Sequence, residues 1–440
     1  MLISFGVSNL LSFKNKVLFS LLPGKSQLHK NHITTPKPFG ILRGAVFYGA
    51  NAAGKSNFFD AIYFFTNMIS QGVIPQFLAH NQFKTGLENN VTTFEITFQI
   101  NARIYNYSFD ITPQEVLKEK LIRLYKTSET EEVIFERNGL NVQLGKVLQN
   151  SANDTNWYHN RTFQKNMLFL TKLKFDGIRE NKEIIKGSEF ILDVHDFFSK
   201  ISLCKADSVM RPDILFRLFK LEDFRKFLLD LLQKADIGIT DIKWVDLPEN
   251  EANNLWQSYV YMNPVFLNMP IEQTLTENNA FIFRDRNSFY AIYVKNNKRM
   301  ATVLKTFHWN NIPFDLIQES SGTNRLIELS LAFYKLLDDE RVCFIDELDN
   351  SLHPNLTKFL LQQFLESKKQ SQLIVSMHDI NLLDNKIWRP DEVWFVEKDP
   401  EGASDIYSLN QFRPRFDKKI MNDYCEGKYG AIPLIGRLRV

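Results

Sequence analysis

The sequence predicts an α/β protein with a mixed core sheet, an antiparallel β elaboration and a helical insertion. Three observations predict it. The apolar run Gly44-Ala45-Val46-Phe47-Tyr48 enters the glycine loop Gly49-Ala50-Asn51-Ala52-Ala53-Gly54-Lys55-Ser56, and a helix-compatible segment from Asn57 to Phe65 follows. Residues 91–111 alternate apolar and polar, the period-two pattern of antiparallel strands. From about 175 to 235 the apolar residues recur near the 3.6 period of a helix.

The elements follow in order. Residues 1–22 read as strands Leu2–Val7 and Lys16–Leu22, joined through Asn9 to Asn15. Residues 24–40 hold Pro, Lys, His and Thr without periodicity and read as a loop. After the glycine loop and its helix, Thr93–Ile100 and Tyr105–Ile111 form a strand pair around the turn Asn101-Ala102-Arg103. Short strands continue over 115–147, with turns at Arg137-Asn138-Gly139 and at Gly145. The helical stretch carries Phe190-Ile191-Leu192, Phe197-Phe198, Phe216, Phe219, Phe224, Phe227-Leu228 and Leu231-Leu232, too short and irregular for a sustained heptad repeat. Strands return over about 240–300. The expected division is an N-terminal lobe over 1–174, a helical insertion over 175–235 and a C-terminal lobe over 236–440.

Bulk properties narrow the function. The chain has 440 residues, 44% hydrophobic and 24% charged, as in ordinary globular proteins. Its 53 basic and 51 acidic residues leave a net charge of +2, so no global nucleic-acid signature exists and any such site is a local patch. The 38 phenylalanines fall mostly in apolar runs and read as core. Cys204, Cys343 and Cys425 are far apart, which supports neither a zinc ribbon nor a disulfide framework and fits a reducing cytoplasm. No basic n-region with a long apolar stretch opens the chain, and no apolar run reaches the ~18–20 residues of a membrane span. The expectation is a cytoplasmic protein with no membrane partner.

The chemistry concentrates in four places. The glycine loop fits G-x-x-x-x-G-K-[ST], in which backbone amides from Asn51, Ala52, Ala53, Gly54, Lys55, Ser56 and Asn57 cradle phosphates. Lys55 reaches the β- and γ-phosphates, and the Ser56 hydroxyl binds Mg²⁺. The run Val342-Cys343-Phe344-Ile345-Asp346-Glu347 delivers two carboxylates at a strand end: Asp346 for Mg²⁺ and Glu347 to polarise the attacking water. Ser320, Ser321 and Gly322 stand at a helix start, an anion-binding position. Finally, Leu373-Ile374-Val375-Ser376-Met377-His378 is a strand ending in a histidine. The implied ligands are ATP and Mg²⁺.

This order of motifs resembles the ATP-binding-cassette (ABC) ATPases, specifically their RecF/SMC-like branch, and within it AAA domain family 15, related to the ATPase half of OLD-family nucleases. The resemblance covers almost the whole chain. It includes Ile3-Ser4-Phe5-Gly6-Val7-Ser8-Asn9-Leu10-Leu11-Ser12-Phe13, Ala235-Asp236-Ile237-Gly238-Ile239, Trp388-Arg389-Pro390-Asp391-Glu392-Val393-Trp394-Phe395 and Gly427-Lys428-Tyr429-Gly430-Ala431-Ile432-Pro433. It implies an ABC-type P-loop fold and Mg²⁺-dependent, slow ATP hydrolysis. Ser320 to Thr323 then match the signature that contacts the γ-phosphate held by the opposite subunit, with Ser321 and Thr323 departing from Leu-Ser-Gly-Gly-Gln. Ser351-Leu352-His353 match the D-loop, with His353 where transporter ATPases carry Asp. His378 matches the switch histidine. No Q-loop glutamine is evident, since Gln99 lies in a strand pattern. His353 and His378 also read as satisfied structural histidines; for His378 the neighbouring acidic strand favours function.

OLD-type proteins carry a Toprim nuclease after the ATPase. Only 62 residues follow His378 (440 minus 378), too few to complete the ATPase and add a domain of ~100 residues. Asp379, Asp384 and Asp391 form no Asp-x-Asp. The resemblance therefore implies a homo-oligomer, at least a dimer with a hexamer as the larger alternative. Its effector would be a separate protein such as a Toprim nuclease. The family group includes sensor ATPases of bacterial anti-phage systems. A RecF/SMC-like repair ATPase acting directly on DNA is the competing reading, and a transporter ATPase the third. The basic clusters Lys118-Glu119-Lys120-Leu121-Ile122-Arg123 and Lys165, Lys172, Lys174 read as solvated faces, with DNA contact as the alternative.

Overall fold

A computed structural model of the chain describes residues 1–34, 39–75, 78, 83, 91–125, 131–149, 164–180, 189–205, 212–262, 280–285, 288–296, 298–414 and 419–433. The chain divides into two compact units, one of Met1–Ala206, Leu336–Asp349 and Lys358–Val440, the other of Asp207–Lys335 and Asn350–Thr357. These boundaries cut across the three sequence segments.

The first unit holds the core sheet. Its six strands run in the order Ile201–Cys204, Val342–Ile345, Gln372–Ser376, Gly44–Tyr48, Val393–Lys398 and Ser404–Ser408. The first five are parallel and the last antiparallel. The three central strands are buried at every position, as their unbroken apolar runs require of a sheet covered on both faces.

An antiparallel sheet of seven strands forms the elaboration, in the order Asn141–Leu144, Glu131–Asn138, Val116–Leu124, Arg103–Ile111, Thr92–Ile100, Leu2–Ser8 and Val17–Ser20. The hairpin at Asn101 and Ala102 takes φ of 47° and 64° at these two residues, the left-handed pair that matches strand twist.

The helix Lys55–Gln71 joins these layers through aromatic rings. Phe58 stacks on Phe47 of the core sheet at 5.0 Å and meets Phe19 edge-on at 5.6 Å. Two turns further along the same face, Phe65 contacts Phe5 at 5.6 Å and Phe109 at 5.5 Å, both on the antiparallel sheet. Each such pair contributes about 0.5–1.5 kcal/mol beyond area burial, which is where the many phenylalanines are spent. Gly72, at φ 80°, ends the helix by returning its amide to the Met68 carbonyl at 2.7 Å.

The mixed core sheet and antiparallel elaboration expected from the sequence are those observed, and the fold class is the expected α/β, with the glycine loop between a core-sheet strand and a helix. Two local expectations need correction. Within the stretch read as helical, Glu189–Ser199, Pro212–Phe219 and Glu222–Lys234 are helices, but Ile201–Cys204 is a strand. Parallel pairing with Val342–Ile345 overrides the local pattern there. Within the stretch read as strands, Glu249–Met262 is a helix. Acidic residues fill its first turn, and Ala252 and Trp256, four apart, pack on strand residues Phe283, Ile292 and Ala301 of the second unit's antiparallel sheet. Expectations at 35–38, 126–130, 181–188, 206–211, 263–279, 286–287 and 297 fall outside the described residues.

The segment Trp388–Phe395 is explained by structure. Arg389 grips the Asp391 carboxylate through Nε at 2.8 Å and Nη2 at 2.7 Å, and Nη2 also donates to the Ser26 carbonyl at 3.1 Å. Asp391 Oδ2 accepts from the Gly24 amide at 2.6 Å, and buried Glu392 holds His32 Nδ1 at 3.1 Å. The loop expected at 24–40 is thereby tied to the core-sheet strand that starts at Val393.

Candidate nucleotide site

The phosphate loop has the backbone its sequence demands. Ala52 at φ 60° and Gly54 at φ 117° turn the chain into the helix that opens at Lys55. A side chain on Gly49 would collide with the Val396 carbonyl, and one on Gly54 with the hydroxyls of Ser404 and Ser12. The loop is held by those hydroxyls in one relay. Asn57 Nδ2 donates to Ser12 Oγ at 2.8 Å, Ser12 and Ser404 share a hydroxyl hydrogen bond of 2.7 Å, and Ser404 donates to the Ala53 carbonyl at 2.6 Å. Nothing local in the sequence marks Ser12 or Ser404 for this role.

Lys55 is 5% exposed, and its ammonium donates to the carbonyls of Gly49 at 2.9 Å and Ala50 at 3.3 Å. Burial lowers its pKa below the ordinary lysine value, against the pull of Asp346, Glu347 and Asp349. The ammonium favours an added polyanion, while the three carboxylates oppose it unless a cation accompanies it.

The acidic strand delivers its groups as expected. Asp346 is buried and accepts a short hydrogen bond from the Ser376 hydroxyl, while that same oxygen receives the Glu347 amide at 2.8 Å. Glu347 takes φ 49°, so the chain turns sharply just after the strand. His378 Nε2 lies 3.5 Å from Glu347 Oε1. Asp349 was not among the residues singled out by sequence, yet its Oδ2 accepts the amides of His378 at 2.8 Å and Asp379 at 2.6 Å. Its partners are backbone amides, so no residue pattern in the sequence marks it.

Asn51, Ala52, Gly54, Lys55, Ser56, Asn57, Glu347, His378 and Lys398 line one cleft of about 640 Å³. Ala53 and Asp346 lie beneath, buried. Among the described residues no group of three His, Cys, Asp or Glu could cage a metal. One hydroxyl, Ser56, and one carboxylate, Asp346, suit Mg²⁺, which keeps its waters and takes its remaining ligands from phosphates.

Ser320, Ser321 and Gly322, expected to form the signature, belong to the second unit. Ser320 caps the helix Ser321–Asp338: its hydroxyl accepts the Thr323 amide at 3.0 Å and pairs with the Thr323 hydroxyl at 2.9 Å. A Cβ on Gly322 would stand 2.8 Å from the Ser351 carbonyl, so glycine is needed where signature and D-loop segments meet. Ser321 is exposed at the first turn. His353 is also exposed, and its Nδ1 accepts the Asn355 amide at 3.2 Å, capping the helix Pro354–Glu366. Gln99 sits in the strand Thr92–Ile100, lining another cavity with Met1 and Lys200.

No described helix is long and apolar enough to cross a membrane. Comparison with curated proteins gives no match. Solved structures similar to the chain include an SMC head bound to the C-winged helix domain of ScpA, with TM-score 0.45 and 12% identity over 94% of this chain and 99% of that one. Others are the SMC head domain from Thermotoga maritima, with TM-score 0.39 and 12% identity over 92% and 98%, and an SMC head bound to the C-terminal domain of ScpA from Pyrococcus furiosus, with TM-score 0.39 and 12% identity over 94% and 99%. A family model, "AAA domain, putative AbiEii toxin, Type IV TA system", matches residues 45–384, from the phosphate-loop strand to beyond His378. With that match spanning most of its length, the chain belongs to this family of AAA-type ATPases.

Proposed function

We propose that the chain is the ATP-binding and ATP-hydrolysing sensor subunit of an anti-phage defence complex, which restrains or releases a separate toxic effector such as a nuclease. The observation that carries the ATPase half is the single cleft shared by Lys55, Ser56, Glu347 and His378. In this reading the loop amides and Lys55 hold the β- and γ-phosphates. Glu347 accepts a proton from the attacking water, and His378 senses the γ-phosphate beside it. Ser56 and Asp346 would hold Mg²⁺, which would supply neutralising charge to the phosphate oxygens. The toxin–antitoxin wording of the family description supports the defence half. Within the group of anti-phage sensor ATPases the chain most resembles the AriA component of PARIS, with PtuA of Septu second.

The active unit in this proposal is at least a dimer, with each nucleotide between Lys55 of one subunit and Ser320 of another. Closure supplies the helix dipole at Ser321 and excludes water, which strengthens every charge interaction in the site. Mixing Lys55→Ala with Ser320→Arg subunits tests it. Each variant alone is inactive, and a mixed dimer regains one composite site. Absence of any recovery despite verified co-assembly means either that the site is not shared or that the two sites must fire together, and full activity of a strictly monomeric wild type defeats the shared site outright. For the effector, a neighbouring nuclease reading frame whose product co-purifies supports defence. Tight ATP-dependent binding of DNA ends by the isolated chain supports the repair reading instead.

A further inference from the structure

We propose that Lys398 is a nucleotide-binding residue, whose ammonium takes the α-phosphate at the end of the cleft away from Glu347 and His378. The inference rests on the nucleotide reading of the cleft and adds a residue that the family match, ending at residue 384, does not reach.

Sheet order places it. The phosphate-loop strand Gly44–Tyr48 lies between Gln372–Ser376 on one side and Val393–Lys398 on the other. His378 follows the first of these neighbours, and Glu347 follows the strand beyond it. The phosphate to be cleaved therefore lies on that side. Lys398 ends the strand on the opposite flank, which runs parallel to Gly44–Tyr48 with Phe395 level with Tyr48. A triphosphate laid across the loop from Glu347 brings its α-phosphate toward Lys398.

The hairpin that carries Lys398 is fixed to the loop. Lys398 pairs across the hairpin with Ser404, whose hydroxyl donates to the Ala53 carbonyl and whose amide donates to the Ser12 carbonyl at 2.7 Å. The turn is closed by the Asp399 carboxylate, which accepts the Ala403 amide at 2.8 Å. Strand alternation separates the charges: Glu397 bonds Tyr407 at 3.0 Å, and Lys398 faces the cleft. Lys398 is exposed and makes no ion pair with any described residue. A free ammonium on a rigid hairpin at the rim of a phosphate cleft suits a phosphate oxygen, since a charge-assisted bond needs no competing partner broken first.

The test measures ADP and ATP affinity by calorimetry, with Mg²⁺ present, for wild type, Lys398→Ala, Lys398→Arg, Lys398→Glu and Lys55→Ala. Because both nucleotides carry the α-phosphate, Lys398→Ala is expected to weaken both equally, by about tenfold. Lys398→Arg restores most of the loss, and Lys398→Glu deepens it. ADP and ATP binding unchanged in both Lys398→Ala and Lys398→Glu, while Lys55→Ala binds neither, overturns the inference and leaves the nucleotide reading standing. A loss confined to ATP overturns the α-phosphate assignment. Wild type that binds neither nucleotide overturns the nucleotide reading itself.

Discussion

Asp349 Oδ2 accepts the backbone amides of both His378 and Asp379, at 2.8 and 2.6 Å, and so fixes the start of the segment that carries the histidine next to Glu347. Two amide bonds to one carboxylate oxygen orient a peptide more firmly than contacts made by the imidazole itself. Asp349→Ala should therefore release His378 while leaving the phosphate loop intact. We expect hydrolysis to fall by about 10²-fold, the scale of a misplacement near 1 Å, with ATP affinity changed far less. Single-turnover kinetics beside equilibrium binding check this; equal losses in both would place Asp349 in ground-state binding instead.

Glu347→Gln tests the carboxylate itself. The amide is nearly isosteric but accepts no proton. Hydrolysis should slow by about 10²-fold or more with ATP still bound. The variant should accumulate as an ATP-bound oligomer, visible by light scattering. Wild-type turnover in this variant would place the base elsewhere.

Lys55 gives a pH dependence with a definite sign. Burial lowers its pKa in the free protein below the usual 10.5. A bound triphosphate favours the ammonium and raises that value again. Between the two pKa values, binding takes up a proton. Affinity is therefore complete below the free-protein value and is lost as pH rises through it, by at most about tenfold per pH unit. Calorimetry in two buffers with different ionisation heats measures the uptake. Proton release on binding in this alkaline range would contradict the assignment.

Arg389→Ala should act on stability. Arg389 is fully buried against Asp391, and its loss strands a buried carboxylate. The expected cost is about 3 kcal/mol in denaturant unfolding. The double change Arg389→Ala with Asp391→Ala should recover part of it, because no unpaired charge then remains. A double variant no better than the single one would locate the cost in the lost bonds to the Ser26 and Leu28 carbonyls.

The sequence was most readable where chemistry is contiguous. The strand before Gly49, the loop and the helix after Lys55 sit in one stretch, as do Val342–Ile345 and the two acids after it. Local patterning decides such units, and they were placed correctly. The strand Ile201–Cys204 was missed because its only reason to extend is a partner about 140 positions away in sequence. Ser12, Ser376 and Ser404 were missed for a similar reason. A serine has little propensity signature, and each acts on a group supplied by another part of the chain. Asp349 lay within reach of the motif but acts on backbone amides, which leave no trace in a residue pattern.

The serine relay under the phosphate loop also governs when the loop becomes a binding site. Ser404 lies 351 positions from Ala53 and 392 from Ser12. A growing chain displays the complete Gly49–Ser56 motif long before the hairpin that clamps it. Contacts this distant in sequence form late, after the loop-closure entropy has been overcome. A truncated or half-folded chain thus carries the motif without its clamp. The loop is clamped only once the core sheet has received the strands Val393–Lys398 and Ser404–Ser408, so its final backbone and the finished sheet arise in the same step.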